Sequence, residues 1–69
     1  MAFTPEQERW AEALAIYRMH GDRAAVWVAE RVGSLALAGD AAGVERFRQI
    51  AAKLDQLMRP EATGQHKAS

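Results

Sequence analysis

Apolar residues recur at helical spacing along three stretches of the chain, and polar residues fill the faces between them. The last stretch is the cleanest. Val44, Phe47, Ile50, Ala51, Leu54, Leu57 and Met58 share one side of a helical wheel, while Glu45, Arg46, Arg48, Gln49, Lys53, Asp55, Gln56 and Arg59 take the other. Such a helix buries one stripe and shows the rest to water. The middle stretch is apolar over more than half its circumference, through Ala25, Val26, Val28, Ala29, Val32, Leu35, Ala36 and Leu37. That breadth suits a central helix touching both others, and small Ala29, Gly33 and Ala36 would let a neighbour approach closely. Trp27 stands apart, among Arg23, Glu30, Arg31 and Ser34. The first stretch carries a stripe of Trp10, Ala13, Leu14 and Tyr17, with Ile16 and Met19 on a different side. The predicted core is Trp10, Leu14, Tyr17, Val28, Val32, Leu35, Phe47, Ile50, Leu54 and Leu57.

The punctuation between these stretches predicts an all-α fold, a compact three-helix bundle with Gly-Asp turns of one or two residues. Thr4 and Gln7 can form a capping box around Pro5, which suits the first helical position. Glu6 and Glu8 face the positive end of the helix dipole, and Arg18 and His20 the negative end. Gly21-Asp22 is echoed by Gly39-Asp40: each glycine can take the left-handed conformation that closes a helix, and each aspartate can cap the next. The predicted helices are Pro5–His20, Arg23–Ala38 and Ala41–Arg59. Connections this short force neighbouring helices to pack on each other. Pro60 ends the third, giving a helical domain over residues 1–60 and a polar, disordered tail over 61–69. Two copies of a cap signal fall short of the roughly three units that a stable repeat array needs.

With 69 residues and no cysteine, the chain makes one domain without disulfides or a Cys-based zinc site. Its single core rarely supplies more than roughly 3–5 kcal/mol, so stability depends on good helix packing or on association. Nine basic and nine acidic residues give zero formal charge, which leaves no overall field to attract nucleic acid or an anionic membrane. No stretch approaches the ~20 apolar residues of a membrane span. The first residues are acidic where a secretory signal is basic, so the expected compartment is the cytoplasm.

Candidate chemistry is sparse. His20 and His66 are the only imidazoles, and neither lies in an H-x-x-x-H or E-x-x-H arrangement, so no metal and no cofactor is expected. Glu8 and Glu12 are one turn apart but have no further ligand group facing them. Ser34 and Ser69 lack a base in a known motif, and phosphate-binding glycine motifs are absent. A chain this short scarcely has room for a water-excluding pocket. The expectation is that it is not an enzyme and has no small-molecule substrate.

Ala29-Glu30-Arg31-Val32-Gly33-Ser34 resembles the first half of a helix-turn-helix. The segment that would then read DNA, Ala36 to Gly43, holds two glycines and an acid and has no side chain that can donate to a base edge or phosphate. A small nucleic-acid-binding regulator therefore stands as the rival reading, resting on Arg46, Arg48, Lys53 and Arg59, which Glu45 and Asp55 interrupt. The preferred reading is a protein–protein interaction module whose partner is another protein or a second copy of itself. Its candidate interface is Ile16, Met19, Trp27 and Arg31, the side chains that one simple core does not explain. The competing explanation is an orthogonal helix arrangement that covers them.

The strings Pro5-Glu6-Gln7-Glu8-Arg9-Trp10-Ala11-Glu12-Ala13-Leu14, His20-Gly21, Leu35-Ala36-Leu37-Ala38-Gly39-Asp40 and Ile50-Ala51-Ala52-Lys53-Leu54 cover most of the chain except the tail. In them the chain resembles a family of short bacterial helical proteins with no assigned function. These motifs are caps and core positions, so the resemblance implies a helical fold and no activity, and no functional residue is carried over.

Overall fold

The computed structural model describes residues 4–59, and all its regular structure is helical. The first helix, α1, spans Pro5–His20; α2 spans Ala24–Leu37; α3 spans Ala41–Met58. The predicted capping box opens α1, with Gln7 N–H donating to Thr4 Oγ1 at 3.1 Å and Thr4 N–H to Gln7 Oε1 at 2.9 Å. Arg59 is extended at φ −71°, ψ 131°, the conformation a following proline imposes. The predicted tail over residues 61–69 lies outside the described residues.

The two Gly-Asp junctions differ. At the second, the Gly39 N–H donates to Ala36 O at 3.1 Å and the Asp40 N–H to Leu35 O at 2.9 Å. This is the paired bonding of a Schellman close, with Gly39 at φ 77°. Asp40 then caps α3, accepting from the Gly43 N–H at 2.8 Å. Gly43 is needed beneath this cap, because a Cβ there would lie 2.7 Å from Asp40 Oδ2 and 3.1 Å from Leu35 Cδ2.

At the first junction, Gly21–Arg23 forms a single 3-10 turn that runs directly into α2. Gly21 still breaks the helix direction, at φ 57°, ψ −129°, a region open to glycine. The expected Asp22 cap is absent: α2 begins behind Arg23 with no side-chain capping bond, and the Ala24 N–H donates to Gly21 O. The 3-10 turn serves that amide with a backbone carbonyl, which leaves the aspartate nothing to do there. Helical residues thus continue from Pro5 to Leu37, and only the second junction is the predicted open turn.

The central helix is α3, which packs on both α1 and α2, whereas α1 and α2 share little contact. This corrects the expectation that α2 is central, and the mutual packing of three helices that defines a compact bundle is not plainly present. The fully buried residues are Ala13, Ala24, Val28, Ile50 and Leu54; Ile16, Trp27, Val32, Phe47, Ala51, Leu57 and Met58 pack around them. Two of those five are alanines, Ala13 and Ala24, both fully covered. Leu14 and Tyr17, predicted as core, are 37% and 36% exposed. Trp10 and Leu35 are half-buried at the edge.

The miss in α1 has a definite cause. Its apolar groups are spread almost evenly around the axis, so hydrophobicity does not choose a face. The helix is turned by roughly one residue's advance, ~100°, from the predicted stripe, which keeps Ala13 inward and turns Ile16, Arg9 and Glu12 inward beside it in place of Leu14 and Tyr17. Glu12 bonds Arg9 at 2.5 Å and also Arg46 of α3; Lys53 of α3 holds Glu6 at 2.9 Å. Lys53 Nζ also sits 5.1 Å from the Trp10 ring centroid, a cation–π distance.

Candidate functional site

The four residues singled out as a candidate interface are only partly brought together. Ile16 and Trp27 pack against the core, so the helix arrangement itself covers some of what the sequence left unexplained. Trp27 stacks on His20 across the first junction, with centroids 4.7 Å apart and planes 19° from parallel, and tilts against Phe47 at 6.2 Å. Arg31 is exposed, with its guanidinium 6.0 Å from the Phe47 ring centroid. Met19 is 76% exposed and borders a shallow depression with His20, Val26 and Trp27. Phe47 thus links Trp27 and Arg31, and Ile16 packs against the same core. His20 in this cluster was not visible as such in the sequence, where its place at a helix end suggested only a dipole partner.

A second surface was missed by sequence reasoning. Between α2 and α3 runs an open groove of about 530 Å³. Helix α2 lines it with Ala25, Val28, Ala29 and Val32; α3 lines it with Ala51, Leu54 and Met58, and sets Arg48 and Asp55 at its edge. Val28 and Leu54 form its buried floor. Both stripes were legible as helix faces, but only the angle at which the helices meet reveals that they leave a furrow instead of closing on each other.

The family model for the family of unknown function DUF6961 matches residues 5–62. The chain belongs to this family. For a DUF6961 member the match spans all three helices and both junctions, in keeping with the resemblance carried by caps and core positions. No curated protein and no solved structure matches the chain.

Two ion pairs of this DUF6961 chain, Arg46–Glu12 and Lys53–Glu6, join α1 to α3. Glu12 is drawn two ways: burial pushes its carboxyl up, but hydrogen bonds from Arg46 and Arg9 outweigh this and hold it below the usual carboxylate range. The bond from Lys53 lowers Glu6 likewise, and Glu12 raises Arg46. Asp55 pairs with Arg59 at 2.5 Å along α3. Of the four cations behind the rival nucleic-acid reading, Arg46, Lys53 and Arg59 are therefore each matched by a carboxylate. Arg48 makes no ion pair among the described residues. In the same residues no three His, Cys, Asp or Glu side chains converge as a metal site, and no helix is long and apolar enough to cross a membrane.

Proposed function

We propose that this chain is a non-enzymatic helical module that works by binding another protein surface through the groove between α2 and α3. The observation that carries this reading is the groove's lining: seven of its nine residues are apolar, and small Ala25 and Ala29 make one wall. Apolar surface of this kind, edged by charge, suits an amphipathic helix laid along it. Carboxylate pairing of three of the four cations weighs against nucleic acid as the partner. The compact three-helix domain and the cytoplasmic placement expected from the sequence are part of this proposal.

The test is site-specific photocrosslinking in cells that make the full chain. A benzophenone amino acid at Ala29 samples the groove, and one at Ser34 samples the surface around Trp27 and Arg31. Discrete adducts from Ala29 and none from Ser34 are expected. Adducts from Ser34 alone would move the docking surface to the Trp27–Arg31 side and overturn the assignment to the groove. Adducts from neither position would overturn the module itself.

A further inference from the structure

The charges at the groove's edge identify its occupant. Arg48 and Asp55 lie on the same side of α3, two turns and about 10.5 Å apart along the axis. Ala51 lies between them on the same face and lines the groove. The stripe therefore reads positive, small, negative. Turned end for end, it reads negative, small, positive. It is complementary to its own reverse, which is the condition a two-fold symmetric interface must satisfy.

Resting on the docking reading above, we propose that the partner is a second copy of this chain, with the two α3 helices antiparallel and the two-fold axis passing beside Ala51. Each α3 then fills the partner's groove. Arg48 of one copy meets Asp55 of the other, and the reverse pair forms across the axis. Ala51 at the crossing permits the close approach that helix pairs make at 8–10 Å. Val32 and Met58 beside it, both only half-buried in one copy, supply apolar contact. Arg48 is available for this, since it makes no ion pair among the described residues, and Asp55 is committed only to an exposed pair with Arg59. A foreign partner would need an opposite pair of charges at matching spacing, which a second copy carries by construction. Zero formal charge means that no net repulsion opposes self-association.

Sedimentation velocity on the full chain, on Arg48→Glu, on Asp55→Arg and on an equimolar mixture of the two variants tests this. Both positions are exposed, and circular dichroism checks that each variant keeps its helicity. The unmodified chain is expected to dimerise, and each single variant to dimerise about tenfold more weakly or worse, because both cross-axis pairs become like-charged. The mixture is expected to recover the dimer, since a heterodimer of the two variants restores both pairs. A general loss of folding could not produce that recovery. A monomer at high micromolar concentration, a dimer indifferent to both substitutions, or a mixture without rescue would each overturn the second-copy assignment. If the chain is monomeric while Ala29 crosslinks to a different protein, the docking reading survives and this inference alone falls.

Discussion

Helix α3 meets its two neighbours by different physics. Toward α2 it presents Phe47 to Trp27, and its Leu54 and Met58 line one groove with Val28 and Val32, a seam of apolar side chains. Toward α1 it presents Arg46, Gln49 and Lys53, which bond Glu12, Arg9 and Glu6, with Ala13 as the one fully buried residue that α1 contributes. Burial of apolar area stabilises without regard to direction, whereas hydrogen-bonded charges demand particular angles and contribute little when water reaches them. The apolar seam thus holds the fold, and the polar seam sets the rotation of α1.

The sharpest way to break this contrast is to truncate one leucine on each side of it. Leu54→Ala should cost about 2–5 kcal/mol, enough to unfold much of a domain this small, whereas exposed Leu14→Ala should cost less than about 1 kcal/mol. Chemical denaturation of the two variants measures the gap. Equal losses would mean that α1 is packed as the sequence stripe suggests.

A second pair of variants compares the junctions. Asp40→Ala removes a bond to the Gly43 amide and should cost about 1 kcal/mol. Asp22→Ala removes no capping bond and should stay within about 0.5 kcal/mol. Sequence reasoning alone assigns both the same loss, so thermal melts of the two variants separate the readings directly.

The smallest effect concerns the polar seam. The Glu12 carboxyl is held low in the folded state, so it contributes stability at pH values above the ordinary carboxylate range. That contribution disappears as pH falls through the lower folded value. Glu12→Gln should therefore lose less than about 1 kcal/mol at neutral pH and show a flatter decline of melting temperature on acidification. An unchanged acid slope would mean that Arg9 and Arg46 do not hold this carboxylate in solution.

The helices were legible because their signals are local. Thr4, Pro5 and Gln7 at one end, and Gly39 with Asp40 at the other junction, act through neighbours a few residues away in the chain. The face of α3 was legible too, because its apolar residues fall on one side without ambiguity. The face of α1 was not, since Leu14 and Tyr17 look as buriable as Ile16 until Arg46 and Lys53 arrive from thirty or more residues away. Ala13 was legible as part of the α1 stripe but not as a core residue, and Ala24 gave no signal, because the periodicity of one helix does not say which small side chain a neighbour will cover.

The amino-acid order by itself determined that this chain is helical, where its helices start and stop, and which side of α3 turns inward. Those properties follow from backbone bonding and side-chain periodicity within one segment. Tertiary structure decided which helix is central, how α1 is rotated, and that Ala29 and Ala51 border an open furrow. Each of these depends on the angle and distance between segments remote in sequence, quantities that no periodicity within a single helix contains.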